Sequence, residues 1–473
     1  MTNENPAALI PELALLCGAV LGLLVGAWLP RRHQRPVRLL AAAACVVGLV
    51  ATGVAATAPP QVVFGSSYAV DTATNATRAI VLVATLLALW LAADTVDGHP
   101  RESEFSVLLQ LGALGTILLA GAADLLLLFA AFLLASVPMY GLAGWAKAGR
   151  ATEATMKYYL SGAFAGVAML TGTALLYAAG GATGYAALRA GLGTGPATVA
   201  AVGLVAVLVG LAFKASAVPA HFWVPDVTDG TPAPVAAVIT TIPKIGALAG
   251  AYRLLDVAIP EQVVDWPLLL AVLSALSMTL GNLAAFFQSS VQRLLAYSTV
   301  SQVGYLLIAV SVAGRSAEAL PGLLFYLAGY AVTNLGAFAV VAALPAARTL
   351  DDYRGLARRR PGLAAALVVC LLGLVGTPPT AVFLGKLTVF TAAIDGGFAW
   401  LAVLAVVNTV ASVFYYLRWI APAFRGSDPE RADVLSPAGI RTRSSALTAA
   451  ALSLLLGIAG GAVLPVLTGS LLG

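Results

Sequence analysis

Charge is what this chain of 473 residues has least of: Asp, Glu, Lys and Arg together make up 10% of it, against 60% hydrophobic residues. A soluble globular domain carries about a quarter charged residues, so this composition cannot dress a water-facing surface. Cysteine is scarce too. Cys17, Cys45 and Cys370 stand singly inside apolar runs with no C-x-x-C spacing, which argues against iron–sulfur, haem and structural zinc frameworks. There is no G-x-G-x-x-G turn between a strand and a helix, so the chain is not expected to hold NADH or a flavin. Polar stretches are few. The longest, roughly 58–78 and 422–444, are too short to enclose a core of their own.

What fills the chain instead is a series of apolar runs. They fall at 8–29, 38–57, 79–96, 105–122, 124–146, 154–180, 197–218, 233–254, 264–287, 293–313, 319–345, 362–390, 396–421 and 445–470. Each is long enough to cross a ~30 Å hydrocarbon core as a helix, the form in which a backbone satisfies its own hydrogen bonds. The expected fold class is an all-α polytopic membrane protein of about fourteen transmembrane helices, one integral domain over 1–473. The first run is flanked by MTNENPAALIPE, which lacks a basic n-region, and is expected to be a retained helix rather than a cleaved signal.

The net charge is +5, which in a soluble protein would suggest nucleic acid. Here the basic residues lie in short loops and report topology instead, so no nucleic-acid partner is expected. Odd-numbered loops and their flanks hold 19 of the 26 Lys and Arg, from Arg31, Arg32, Arg35 and Arg38 through to Arg425, Arg431, Arg441 and Arg443. Even-numbered loops hold Arg78, Arg189, Arg253 and Arg315. The positive-inside rule then puts odd loops in the cytoplasm and both termini outside a bacterial inner membrane.

The remaining three basic residues, Lys214, Lys244 and Lys386, fall inside apolar spans. A lysine at mid-bilayer costs about 2.5–3.5 kcal/mol, so three together cost on the order of 8–10 kcal/mol unless polar neighbours or water solvate them. Each alone is explicable by snorkelling to the interface or by a buried carboxylate. Three, with no Asp or Glu in the central parts of the same spans, point to a hydrated internal pathway. The surroundings agree. Lys214 sits in VGLAFKASAVPAHFWVPDVTDGTPAPV and Lys386 in LLGLVGTPPTAVFLGKLTVF, where proline and glycine break the helix; broken backbone at membrane depth is tolerated only within protein or beside water. Two broken helices 172 residues apart, each with a lysine, suggest a transporter built from repeats. Residues 105–254 and 264–421 would be two five-helix units, inverted because five is odd, with 1–96 and 445–473 flanking them. A lysine in a low-dielectric cavity can take up and release a proton as a neighbouring charge approaches or retreats. His221 could bridge Lys214 and Lys244 through water, or serve only as a hydrogen-bonded structural residue.

These residues resemble a known family over nearly the whole chain. GLAFKASAVPAHFWVPDVTDGTPAPVAAVITTIPKIGAL is similar to the seventh and eighth helices of the antiporter-like subunits of respiratory complex I, and its PDV-x-x-G-x-P-A-P-V wording is nearest the N type. IPELALL, Asp71, EATMKYYLSGAF, QSSVQRLLAYSTVSQVGYLL, FYLAGYAVTNLGAF, DDYRGLARRRP and GTPPTAVFLGK fit as well. The resemblance implies that Lys214 is the broken-helix lysine, Lys244 the central connecting lysine and Lys386 that of the exit half-channel. Protons would enter from the cytoplasm near Lys214, pass His221 and Lys244, and leave near Lys386. It further implies neighbours of the M and K types, with NADH, FMN, iron–sulfur clusters and quinone all held by partner subunits. Gln302, Tyr305 and Tyr330 lie within the matching motifs and are secondary candidates.

Two positions depart from the family pattern. A Glu is expected three residues before the S-x-P turn, here Ser136-Val137-Pro138, and the matching residue is Leu133. Gln302 stands where the family often has His. Asp124 and Glu153 are the nearest acids in sequence; Asp124 is expected at the outer start of the fifth helix, and Glu153 in an exposed i,i+4 pair with Lys157. The departures motivate an alternative, a diverged paralogue that scaffolds a membrane arm. A third reading is the D-type subunit of a multisubunit sodium/proton antiporter, which shares the fold.

Overall fold

The computed structural model describes residues 4–426, 433–436 and 439–472; Arg431 and its immediate neighbours lie outside the described residues. The helices used below are α1 (Ile10–Trp28), α2 (Arg35–Ala55), α3 (Thr72–Leu91), α4 (Glu102–Gly121), α5 (Leu125–Ala143), α6 (Gly149–Gly180), α7 (Ala197–Ala215), α8 (Ala233–Arg253), α9 (Trp266–Phe286), α10 (Val291–Ser311), α11 (Ala319–Ala343), α12 (Pro361–Val375), α13 (Ala381–Asp395), α14 (Ala399–Phe424) and α15 (Ile440–Ile458). Among the described residues twelve helices are long and apolar enough to cross a membrane, and thirteen if α15 and Gly460–Leu467, bent by 65°, count as one span. The run at 362–390 is two 15-residue half-helices, α12 and α13, so the break read from Gly376, Pro378 and Pro379 is present. The other break lies between α7 and the short helix Trp223–Gly230.

Sequence and burial together set the layers. The most apolar windows of α1 and α2 are only 39% buried, whereas that of α8 is wholly buried and those of α10 and α11 are 94% buried. Helix α8 therefore forms the axis, packing on α3, α4, α10 and α11. Its approach to α4 depends on glycine: a Cβ on Gly246 would lie 2.1 Å from the Thr116 carbonyl oxygen. Small residues let membrane helices come this close and gain van der Waals contact.

Two of the arginines assigned to outer loops are not in loops. Arg78 and Arg253 are buried on α3 and α8. Arg78 donates to both carboxylate oxygens of Glu12 (2.7 and 2.8 Å), and Tyr68 donates to the same group at 2.6 Å. Arg253 forms a two-pronged bond with Asp71 (2.7 Å for each prong) and also holds the Leu472 carbonyl at 2.7 Å. Counting charges by loop cannot see partners this remote in sequence. Helix α3 accordingly starts at Thr72, earlier than its apolar run, with Asp71 as N-cap and Thr74, Thr77 and Arg78 turned inward. The polar stretch before it holds an antiparallel hairpin, Gln61–Val63 with Tyr68–Val70, whose three-residue strands are too short to show alternation.

Candidate functional site

All three membrane lysines are buried, at 1% exposure for Lys214, 0% for Lys244 and 3% for Lys386. Among the described residues none of them pairs with a carboxylate; each donates to a main-chain carbonyl. The helix breaks explain where these acceptors come from. Pro243, just before Lys244 inside α8, has no N–H, so the Ile239 carbonyl four residues earlier loses its helical partner. Lys244 Nζ donates to that oxygen at 3.2 Å. Helix α12 ends at Val375, where Gly376 takes a left-handed turn (φ 89°) that favours glycine. The last carbonyls of a helix have no partner within it; Lys386 Nζ binds that of Val375 (2.9 Å) and Gln302 Nε2 that of Leu374 (2.7 Å). Lys214 lies in the last turn of α7, where the helix dipole favours a cation, and reaches the Ala135 carbonyl of α5 at 3.3 Å.

Aromatic faces complete the solvation. Lys214 Nζ is 5.1 Å from the Phe132 ring centre, Lys244 Nζ 5.5 Å from Trp223, and Lys386 Nζ 3.8 Å from Tyr305. Such contacts contribute about 0.5–2 kcal/mol each. An ammonium held by carbonyls and rings differs from one held by a carboxylate: when it gives up its proton, no buried anion is left uncompensated. Both protonation states therefore fit the site.

The two gaps between lysines differ in character. Around Lys244 and Lys386 the buried neighbours on α8, α10 and α11 are polar. Tyr330 donates to the Thr240 carbonyl (2.8 Å) and lies 3.2 Å from Thr299 Oγ1; Asn334 Nδ2 reaches Thr241 Oγ1 at 2.8 Å. Tyr326 donates to Gln302 Oε1 at 2.6 Å, and Ser298, Thr299, Ser301 and Gln302 are all buried on α10. Between Lys214 and Lys244 the neighbouring groups are rings. Phe213 is 6.0 Å from Lys214 Nζ and 5.3 Å from Trp223. Among the described residues His221 makes no hydrogen bond to Lys214 or Lys244. Its ring rests 4.8 Å from that of Phe222, which is 75% exposed, and its Nδ1 has no hydrogen-bond partner.

The remaining sequence candidates take simpler places. Asp124 caps α5, accepting from the Leu126 and Leu127 N–H groups. Glu153 lies 2.9 Å from Lys157 in an exposed i,i+4 pair. Lys157 also binds Asp226, which Arg293 holds from the opposite side.

Comparison with known proteins follows the same lines. The model of the family described as NADH:quinone oxidoreductase/Mrp antiporter, TM, matches residues 122–412. A Streptomyces griseus protein, NADH-quinone oxidoreductase subunit N 1, is 63% identical over 468 residues, 99% of each chain. The chain belongs to the NADH-quinone oxidoreductase subunit N family. A Mycobacterium subunit N is 51% identical across 98% of both chains. A chain of respiratory complex I from Thermus thermophilus, solved with bound aureothin, superposes with a TM-score of 0.83 at 34% identity, covering 97% of this chain and 99% of that one.

As a subunit N family member, the protein is an antiporter-like, multi-pass membrane subunit of a multisubunit NADH-quinone oxidoreductase complex. One departure from the family pattern reads differently in three dimensions. Leu133 is 41% exposed, while Phe132 is the α5 side chain facing Lys214. Residue spacing located the position but not the rotation of the helix. Residues that sequence reasoning passed over are Pro243, Trp223 and the Asp71–Arg253 pair; the first was legible, since a proline inside an apolar run one residue before a lysine predicts a free carbonyl beside it.

Proposed function

We propose that this subunit conducts protons along Lys214, Lys244 and Lys386 during quinone reduction by the complex. The observation that carries the reading is the solvation of the three buried ammonium groups by carbonyls and rings, without carboxylates, with hydroxyl and amide side chains among the buried neighbours of Lys244 and Lys386. Protons enter from the arginine-rich, cytoplasmic end, reach Lys214 and Lys244, and leave near Lys386; both termini lie on the outer side. Residues 105–254 and 264–421 act as inverted units, each with one broken helix. NADH, FMN, iron–sulfur clusters and quinone are bound by partner subunits, and the membrane neighbours are of the M and K types. The test is dye-monitored acidification by inside-out vesicles carrying Lys386→Met in the assembled complex. NADH oxidation with acidification reduced several-fold supports the exit role; wild-type acidification refutes it.

A second reading, a scaffold that no longer pumps, is favoured by one feature: the Phe213–Trp223 row between Lys214 and Lys244 offers no hydrogen-bonding relay. Replacing Lys214 by Met separates the two. A scaffold keeps its proton-to-electron ratio, whereas a conductor loses part of it.

A further inference from the structure

A groove of about 450 Å³ opens on the flank formed by α2, α3 and α15, away from the lysines. Its walls are apolar, with Leu39, Ala42, Val83 and Leu86 on two helices and Leu452 on the third. Its rim carries three arginines, Arg35, Arg38 and Arg441, and no carboxylate lines it. Leu452 stands eleven residues beyond Arg441, about 16 Å along the helix, so the apolar wall continues far below the basic rim.

The rim charge is partly used and partly free. Arg38 binds Glu102 (3.1 Å) and Arg441 binds Asp97 (2.6 Å), while Asp94 caps the start of α15 through Thr442 N. Arg35 is exposed and makes no close ion pair among the described residues, although its charge attracts Asp97 and Glu102 at longer range; Arg31 and Arg32 are exposed just before it. Helix α2 also begins at Arg35 without a side-chain cap, so its positive end faces the same rim. Trp90, 38% exposed, stands at the same end, where indole rings favour the membrane–water interface.

We infer that this groove binds an anionic glycerophospholipid, its phosphate on the Arg35–Arg38–Arg441 rim and an acyl chain along the α2–α3–α15 wall. Charge complementarity selects the occupant. A membrane lipid supplies the long apolar tail that the wall fits, and an anionic headgroup supplies the directly bonded partner that Arg35 lacks; basic pockets between transmembrane helices are known to hold such headgroups. A zwitterionic lipid would bring its own cation to Arg35, the rim arginine without a close carboxylate. The inference is independent of the lysine pathway and uses only the position of the arginine-rich end.

The experiment uses the whole complex in phosphatidylcholine nanodiscs containing trace phosphatidylglycerol with a photoactivatable acyl chain, followed by peptide mass spectrometry. Labelling is expected to concentrate on the Val83–Trp90 segment and to be displaced by unlabelled phosphatidylglycerol. It should fall about five-fold in Arg35→Gln, the effect of one arginine near a membrane surface. Arg35→Lys should retain labelling, and Ala42→Phe, which fills the wall and keeps every charge, should lose it. Equal labelling in wild type and Arg35→Gln, or equal displacement by phosphatidylcholine, would reduce the groove to ordinary lipid contact. Displacement by inorganic phosphate alone would reassign the rim to a free anion. Either result overturns the inference.

Discussion

Lys244 donates a hydrogen bond to the carbonyl of Ile239, five residues earlier on the same helix, at 3.2 Å. An ordinary α-helix would not offer that oxygen, because the N–H four residues on would occupy it. Pro243 leaves it vacant, so one covalent feature of the backbone both weakens the helix and solvates a buried cation. The same economy appears at Lys386, which binds the last carbonyl of α12.

Pro243→Ala supplies an N–H to the Ile239 carbonyl and competes with Lys244 for it. The helix gains a hydrogen bond, worth about 1 kcal/mol net, while the ammonium loses its acceptor. The expected outcome is normal assembly with proton pumping lowered several-fold, measured as acidification per NADH oxidised. Unchanged pumping would show that the carbonyl is dispensable.

Gly376→Ala is expected to harm the second break. The residue has φ 89°, and an added Cβ would lie 3.0 Å from Lys386 Cδ. A left-handed conformation costs a non-glycine residue about 1–2 kcal/mol, before the crowding of Lys386. Lower thermal stability of the complex, with pumping reduced more than assembly, is the expected pair of readouts.

The Asp71–Arg253 pair is predicted to be structural. Removing one partner from a buried pair costs about 3–5 kcal/mol, since the other charge is left unpaired. Asp71→Leu should therefore deplete the subunit from the assembled complex, seen on native gels, and Asp71→Leu combined with Arg253→Met should recover part of it. No recovery would mean that the pair does more than neutralise itself.

Acid should loosen the arginine-rich end first. Asp97 is held below the usual carboxylate range by its hydrogen bond from Arg441, against a smaller opposing effect of burial, with Arg38 adding to the attraction. For Asp226 burial pushes the carboxyl upward, but the hydrogen bonds from Lys157 and Arg293 outweigh it and the net direction is down. A depressed carboxylate contributes stability that is present above its unfolded value, about 3.9 for Asp, and is lost as pH falls through the lower folded value. Between pH 5 and 8 these groups should give a flat thermal-stability profile. Below about pH 4 wild type should lose stability, and Asp97→Asn should lose less of it.

Much of the fold could be read in one dimension because a bilayer punishes deviations so strongly. Apolar runs, the two breaks and the three costly lysines all stand out without knowledge of partners. What escaped was relational. Arg78 and Arg253 looked like loop residues because Glu12 and Asp71 lie 66 and 182 positions away in sequence. Leu133 was placed correctly along the chain, but the rotation of its helix leaves it 41% exposed, and Phe132 and Trp223 occupy positions beside the lysines. The hairpin before α3 is held by a bridge from Tyr68 to Ala122 and by the bond to Glu12, neither of which leaves a local signal.

The most direct test is the proton-to-electron ratio of the assembled complex carrying Lys244→Met, reconstituted in tight vesicles with NADH as donor. Methionine keeps the bulk of the side chain and removes the ammonium group with its charge, its hydrogen bond to Ile239 and its exchangeable protons. The account predicts continued electron transfer with fewer protons moved per electron, and a ratio equal to that of wild type would contradict it.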